Sequence, residues 1–298
     1  MRGVRAAEEV TSTAMSAVRI VSDSACDLPG EVADDLEISI VPLTIRFGTE
    51  EFVDRVELSA HAFYEKLRKS RDLPQTAAPA PGAFEKTYRE LAARGTTAIV
   101  SIHLSSDLSA TLQSAKTAAA AVADEIDVRV IDSRSITAGL GHQVLEAAEL
   151  AREGASVDAI VDHVMSLIPR THVVGTLDTL EYLKRGGRIG GAQALVGSML
   201  SIKPILDLSN GVVEEAGKAR TRRKALQRLL DFLPPESRIA RLAVMHADAS
   251  DIDDFVELLR TRVPPDRMTV GIIGAVIGTH GGPGTVGLCW LEQDVTDS

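Results

Sequence analysis

Five hydroxyl side chains are concentrated in residues 103–114, which read HLSSDLSATLQS and contain no Lys or Arg. The stretch lies between an apolar, β-rich run (TTAIVSI) and a strongly helical run (AKTAAAAVA), so it is predicted to join a buried strand to a helix. Unpaired backbone N–H groups and the helix dipole make such a junction receptive to an anion. One or two hydroxyls would suffice as helix caps. Five favour a binding site for a weakly charged anion such as a carboxylate.

Two further predicted strands also end in hydroxyl or acidic groups. These ends read SDS at residues 22–24 and DSRS at residues 132–135. In open α/β sheets, ligands bind beyond the carboxyl ends of the strands, where these groups would converge. The alternative is that they only cap helices, with Asp23 and Asp132 purely structural.

Residues 278–284 form a glycine-rich loop, GTHGGPG, that contains His280. The overlapping GxGxxG pattern at residues 282–287 is not a dinucleotide fingerprint, because only eleven residues follow it and the required helix and strand cannot form. A single histidine is either structural or a group that approaches a ligand beside the glycines, and the sequence leaves both readings open. Thr76, a hydroxyl between prolines in the predicted loop RDLPQTAAPAP, means little alone.

Two basic stretches stand out in a chain whose net charge is −10. KRGGRI contains Arg188, and the TRRK cluster follows Arg220. A solvated face is the usual reading of such charge runs. A local basic patch on an acidic protein is also a candidate docking surface for an acidic ligand or partner.

Composition excludes several classes of function. Aromatic residues make up only 3% of the chain and the net charge is negative, so nucleic-acid binding is not expected. The sequence contains no run of 18 apolar residues, the length that would be needed to span a membrane. Cys26 and Cys289 are far apart and match no metal spacing, so no metal site is expected. A reducing, cytoplasmic location fits best.

The chain length of 298 residues favours two domains. Residues 1–16 are predicted to form a flexible N-terminal tail. Residues 17–165 alternate short apolar strands with helices, which predicts an α/β domain with a parallel sheet. Residues 166–298 are predicted to form a second α/β domain with antiparallel pairing, including a hairpin at Asn210-Gly211.

Nine segments occur in the order found in DegV-family proteins, and the resemblance runs from about residue 18 to residue 290. They are SDSACDLP, VPLTI, PQTAAPAPGAF, HLSSDLSATLQSA, DSRSITAGLG, LEYLKRGGRI, SIKPIL, KARTRRKAL and GTHGGPG. The resemblance implies a two-domain α/β fold with one long-chain fatty acid, such as palmitate, stearate or oleate, bound between the domains. It also implies a non-enzymatic carrier of bacterial phospholipid metabolism, which presents the acid to a separate fatty acid kinase subunit.

The same resemblance assigns roles to individual residues. Thr76 and Ser109, with Ser106 nearby, correspond to the hydroxyls that hold the fatty acid carboxylate, and His280 borders that site. Arg188 and Arg220 correspond to partner-facing arginines.

The chain departs from the family pattern at four positions. Ala77, Ala78 and Ala80 stand where the family usually has Ser, Gln and Ser, and Ala110 replaces the usual Gly.

Two alternative functions remain open at the level of sequence. A hydrolase or transferase would use Ser109 as nucleophile and His280 as base, although no GxSxG elbow surrounds any of the candidate serines. A lipid-sensing regulator would use the same pocket as a carrier.

Overall fold

The computed structural model describes residues 18–198 and 202–294 of the chain. These residues form three β-sheets. In chain order the strands are β1 Val18–Asp23, β2 Ser39–Val41, β3 Thr44–Phe47, β4 Glu50–Val53, β5 Gln75–Ala77, β6 Ala98–His103, β7 Asp127–Asp132, β8 Thr171–Thr176, β9 Lys203–Asp207, β10 Glu214–Ala219, β11 Ile239–His246, β12 Thr269–Ile272 and β13 Val286–Glu292. The helices are α1 Gly30–Asp35, α2 Ala60–Lys69, α3 Pro81–Ala93, α4 Thr111–Ala121, α5 Thr137–Arg152, α6 Val157–Leu167, α7 Glu181–Arg185, α8 Arg222–Leu229, α9 Ile252–Leu259 and α10 Ala275–Gly281.

The first sheet contains four parallel strands in the order β2-β1-β6-β7. Every residue of β1 and β6 is buried, because helices cover both faces of the sheet. Helices α3 and α4 pack on one face around Phe84, Tyr88 and Leu91, while α5 and α6 cover the other. The predicted parallel α/β arrangement is confirmed.

A small antiparallel sheet in the order β4-β3-β5 stands beside the first. Gly48, at φ +59°, forms the turn of the β3–β4 hairpin. The prediction of a plain loop at residues 71–81 was wrong in part, because residues 75–77 pair with β3 as strand β5. Local sequence gave no sign of this strand because its hydrogen-bond partners lie some thirty residues away in the chain.

The second sheet contains six strands in the order β10-β9-β8-β13-β11-β12. All neighbours are antiparallel except β11 and β12. Strands β9 and β10 form the predicted hairpin, with Gly211 at φ +80° in its turn. Between α7 and β9 the chain forms a 3-10 helix, Gly190–Ser198.

Helix α5 lies between the two large sheets and contacts β1 and β6 on one side and β8 and β13 on the other. Two glycines permit this close approach. A Cβ atom at Gly141 would lie 2.7 Å from the Cys26 carbonyl oxygen, and one at Gly139 would lie 2.5 Å from Val173 Cγ2. The two sheets are therefore held at a separation that a helix with larger side chains would not allow.

The division into residues 17–165 and 166–298 remains a prediction. Among the strands of the described chain, none pairs across residue 165. One hydrophobic core nevertheless includes residues of both parts, from Val18 to Cys289. Residues 1–16 lie outside the described ranges. No described helix combines the length and hydropathy needed to cross a bilayer.

Candidate ligand-binding site

A largely apolar cavity lies between the inner face of the six-stranded sheet and the elements that cover it. The cavity contains about 880 Å³ of atom-free space, part of it open to solvent, and only about 100 Å³ admits the centre of a water molecule. The cavity is therefore narrow. Its lining is mainly aliphatic and includes Leu43, Leu104, Leu108, Ile136, Val276 and Ile277.

Thr76 and His280 meet at a polar end of this cavity. Thr76 lies on β5, and His280 lies in the last turn of α10 rather than in the predicted loop. The helix was missed because it is short and glycine-rich; it ends where Gly282 adopts φ +76°. Thr76 Oγ1 and His280 Nε2 are 3.0 Å apart, although their positions in the sequence differ by 204 residues.

Burial, assisted by the nearby Arg188 guanidinium, lowers the pKa of His280 to about 4. The imidazole is therefore neutral at pH 7. Its buried Nδ1 has no hydrogen-bond partner among the described residues. Because an orphaned N–H is rarer than an orphaned acceptor, the tautomer with hydrogen on Nε2 is favoured, and that Nε2–H donates to the Thr76 hydroxyl.

Arg188 lines the same polar end. Its Nε donates to the Leu108 carbonyl oxygen at 3.0 Å, and its Nη1 donates to the Gly186 carbonyl oxygen at 2.7 Å. The side chain therefore ties the end of α7 to the β6–α4 junction. It also places a positive charge beside a cavity whose lining is otherwise uncharged.

Ser109 lies in the β6–α4 junction and lines the cavity. Its Oγ is 2.9 Å from the Thr111 hydroxyl and accepts a 3.3 Å hydrogen bond from the Thr111 N–H at the start of α4. Ser109 therefore supports the helix start and also faces the cavity. The capping and binding interpretations are compatible at this residue.

Ser106 does not reach the cavity. It is exposed, and its hydroxyl donates to the carboxylate of Asp132. The neighbouring Ser105 is buried and donates to the Gly211 carbonyl oxygen at 2.6 Å. The polar ends of the parallel strands thus converge as predicted, but these groups bond to one another rather than face an open site.

The polar end of the cavity opens onto a surface cleft with about 1,510 Å³ of atom-free space, including open solvent. Thr76, Arg188 and His280 line both spaces. The cleft also contains Arg46, Arg185, Asp72, Gln75 and Tyr182. Sequence reasoning missed Arg46 and Tyr182, because nothing in their local sequence indicates that they meet.

Arg220 lies elsewhere, in a shallow surface depression with Lys218, Lys224 and Arg228. It precedes α8, which is capped by Thr221 and begins at Arg222. The structure therefore places the two predicted docking arginines on different features of the surface. Only Arg188 contributes to the cavity.

A buried hydrogen-bond chain below the junction was also missed. Asp23 Oδ2 is 3.0 Å from His103 Nδ1, His103 Nε2 is 2.7 Å from Ser101 Oγ, and Ser101 Oγ is 2.8 Å from the Tyr88 hydroxyl. The order of acid, histidine and serine is that of a hydrolytic triad. All three are completely buried, however, and none lines the cavity. Asp23 also accepts the Leu104 N–H at 3.0 Å, so the chain fixes the start of the junction.

In the ranges that the structure describes, no three His, Cys, Asp or Glu side chains are grouped as ligands for a metal ion. Cys26 and Cys289 are buried as free thiols. Burial raises the pKa of each thiol to about 12, so both remain protonated and unreactive at pH 7.

Sequence and fold comparisons place the chain among known relatives. A DegV domain-containing protein from Halalkalibacterium halodurans is 38% identical over 283 residues, which cover 94% of this chain and 100% of the relative. Two solved structures described as fatty-acid-binding DegV proteins, from Thermus thermophilus and Bacillus subtilis, each show 35% identity and a TM-score of 0.84. In both cases the match covers 93% of this chain and 99% of the other. Residues 17–293 match the sequence profile of the DegV family, which is described as uncharacterised. The chain therefore belongs to the DegV family.

Proposed function

We propose that this protein binds one long-chain fatty acid in the cavity and presents its carboxylate to a separate fatty acid kinase, which forms the acyl phosphate. The observation that carries the proposal is a narrow aliphatic cavity with one polar end, which opens onto a cleft containing three arginines. The relatives from Thermus thermophilus and Bacillus subtilis, described as fatty-acid-binding proteins, support the same ligand class.

The acyl chain gains free energy from burial in the aliphatic lining. Each buried methylene contributes about 0.8 kcal/mol, so the acyl chain of a long-chain fatty acid supplies most of the binding affinity. The contribution is non-directional, and the chain therefore needs an apolar wall rather than specific partners.

The carboxylate needs hydrogen-bond donors at the polar end, because an unpaired buried charge costs several kcal/mol. In this proposal the Thr76 hydroxyl, oriented by the His280 Nε2–H, donates to one carboxylate oxygen. The Ser109 hydroxyl donates to the carboxylate from the opposite segment. The Arg188 guanidinium contributes a favourable positive charge near the carboxylate. Two of its donors are already bonded to backbone carbonyl oxygens, which hold the guanidinium in place.

Presentation to a kinase explains why the polar end faces the cleft. An acyl phosphate carries more negative charge than a carboxylate, and Arg46, Arg185 and Arg188 provide a favourable field for it. The chain's resemblance to carriers of the fatty acid kinase system supports this role. A cytoplasmic location and a docking role for Arg220 belong to the same proposal.

A carrier function fits the geometry better than a hydrolase or transferase. Ser109 Oγ is bonded to Thr111 and His280 Nε2 to Thr76, so the structure does not form the serine–histidine pair that nucleophilic catalysis requires. We therefore assign no catalytic residue. A lipid-sensing role would use the same cavity, and a test with a kinase distinguishes it from a carrier.

Mass spectrometry of the purified protein tests the proposal directly. We expect one fatty acid per chain in the native spectrum, and release of the same acid on denaturation. The proposal would be refuted if the protein purified free of lipid and bound no palmitate, stearate or oleate on titration. Turnover of an added acyl ester would instead favour the enzyme.

A further inference from the structure

The floor of the cavity is formed by alternate residues of two neighbouring strands. On β8 and its C-terminal extension these are residues 173, 175 and 177, and on β13 and its N-terminal extension they are residues 285, 287 and 289; Val174 of β8 also borders the cavity. Alternate residues of a strand face the same side. At the centre of this floor, Gly175 and Gly287 are directly opposite each other in the antiparallel ladder.

The two glycines form the bottom of a trough. In the same row of the sheet, Leu206 is paired with Gly175 on one side, and Met245 is paired with Gly287 on the other. All four residues line the cavity. The two larger side chains form the walls, and the backbone of two strands, spaced about 4.8 Å apart, borders the cavity between them.

The backbone conformation requires neither glycine, and the packing of the protein leaves room for a Cβ atom at Gly287, whereas at Gly175 the fit against the neighbouring strand is tight. Neither has a positive φ. A Cβ atom at Gly287 would make only ordinary contacts, with the Val174 carbonyl oxygen at 3.4 Å and the Gly175 Cα atom at 3.9 Å. At Gly175 it would lie 3.2 Å from the Val286 carbonyl oxygen and 3.5 Å from Gly287 Cα. The nearest atoms all belong to the adjacent strand, not to an element across the cavity.

Glycine weakens a strand interior, and its presence there commonly marks close approach by a ligand or another backbone. No other described backbone fills this trough. The trough also lies within reach of the polar end. Thr285 lies one row before Gly287 on the same face, which is about 7 Å along the strand. Its hydroxyl donates to the carbonyl oxygen of Gly281, the residue that follows His280.

We infer that Gly175 and Gly287 determine which acyl chains the cavity accepts. The chain lies directly on the backbone of β8 and β13, and the width of the trough admits chains bent by a cis double bond as well as straight saturated ones. This inference rests on the proposed function, because it concerns the same cavity. A methyl group in the trough narrows it, and a bent chain, having the larger effective cross-section, is excluded first.

The test is a competition between stearate and oleate, which have equal length and differ in one cis double bond. Delipidated wild type, Gly287→Ala and Gly287→Val are incubated with an equimolar mixture, and native mass spectrometry measures both occupancies. Gly82→Ala is the matched control, because a Cβ at this exposed helical glycine would contact nothing within 4 Å. We expect Gly287→Ala to lower the oleate-to-stearate ratio by about fivefold or more. Gly287→Val should lower the occupancy of both acids, and Gly82→Ala should match wild type.

Thermal melting establishes that each variant is folded, and Gly175→Ala provides a second route if Gly287→Val unfolds. Wild-type ratios and occupancies in folded Gly287→Ala and Gly175→Ala would overturn the inference and leave the proposed function intact. A wild-type protein that binds neither acid would overturn the proposed function itself.

Discussion

At the level of single residues, the polar end of the cavity depends on a neutral histidine. A protonated His280 could still donate to Thr76, but its charge would be buried beside the Arg188 guanidinium, which is unfavourable. With a neutral ring, the hydroxyl of Thr76 is oriented by one donor and left free to donate. The site thus offers hydroxyl donors and one fixed guanidinium to a carboxylate, without a second mobile cation.

Replacing Ser109 with Ala tests the contribution of the junction hydroxyl. Loss of a hydrogen bond to a charged group should weaken fatty acid binding by roughly 1.5–3 kcal/mol, measured by titration with a fluorescent fatty acid. Unfolding free energy should fall by about 1 kcal/mol or less, because the bond to the Thr111 N–H is also lost. Ser106→Ala is the control, since that hydroxyl is exposed and bonds to Asp132. Equal affinities of the two variants would remove Ser109 from the ligand site.

The lowered pKa of His280 predicts a specific dependence of stability on pH. The pKa is about 4 in the folded protein, against 6.5 for an imidazole in an unfolded, solvated chain. The unfolded chain therefore binds more protons between these values, and the contribution of His280 to stability is lost as pH falls below 6.5. From pH 7 to pH 5 this loss is on the order of 2 kcal/mol.

We expect His280→Gln to lose less stability than wild type over this interval, by about that amount, in urea unfolding at the two pH values. The buried His142, whose pKa is also lowered to about 4 by burial, is present in both proteins and cancels in the comparison. Parallel pH dependences of wild type and His280→Gln would show that the imidazole titrates as if it were exposed.

At the level of elements, two short helices hold His280 in place. A Cβ atom at Gly186, just after α7, would lie 2.3 Å from His280 Nδ1, so the ring packs directly on the chain where α7 ends. The start of α10 is fixed by Asp27, which accepts the Gly274 N–H at 3.1 Å. Asp27 also accepts a 2.6 Å hydrogen bond from Thr137, a cavity-lining residue at the start of α5. One carboxyl group therefore connects the start of α5, which lines the cavity, to the helix that carries the histidine.

Gly186→Ala should displace the His280 ring and weaken fatty acid binding at least tenfold, because the ring cannot move without breaking its bond to Thr76. Gly187→Ala is the matched control. Its Cβ would contact nothing within 4 Å, and its φ of +69° costs only about 1–2 kcal/mol of stability for a residue other than glycine. Binding titrations at a temperature where both variants are folded give the answer. Undiminished affinity in Gly186→Ala would mean that the position of the ring does not matter for the ligand.

At the level of the whole molecule, the cavity is lined by distant parts of one chain that share a core. Leu43, Leu104 and Ile136 come from the part built on the parallel sheet, and Val173 and Cys289 come from the six-stranded sheet. Because the lining belongs to both, ligand binding should stabilise the whole protein rather than one half. The surface is charged unevenly as well. The depression around Arg220 collects four cations in a chain of net charge −10.

Arg220→Ala should leave fatty acid affinity unchanged, because Arg220 lies outside the cavity and its cleft. In a reconstituted assay with a fatty acid kinase and carrier below saturation, the variant should form acyl phosphate more slowly, and its deficit relative to wild type should shrink as ionic strength rises, because salt screens the attraction that Arg220 contributes. Lys116→Ala, an exposed cation on α4, is the control. Full turnover by Arg220→Ala would identify the patch as a solvated face.

Arg188→Ala should lower both affinity and turnover, since Arg188 lines the polar end of the cavity.

The sequence by itself determined the local elements and the class of fold. Continuous apolar runs predicted the buried parallel strands, and the Asn210-Gly211 turn marked a hairpin that the structure contains. Hydrophobic period and turn chemistry depend on neighbours in the chain, which is why these features are legible without a structure. The motifs also singled out Thr76, Ser109 and His280, all of which line the cavity.

Only the tertiary structure decided what these residues contact. Thr76 and His280 are 204 positions apart and meet at 3.0 Å, because β5 joins β3 while α10 packs across the same edge. Ser106 and Ser109 look equivalent in the sequence, yet one turns to Asp132 and solvent and the other faces the cavity. The opposed Gly175 and Gly287 cannot be recognised until the register of β8 and β13 is known. Registers and contacts between sheets arise from burial that is non-directional and non-local, so the spacing of residues along the chain does not specify them.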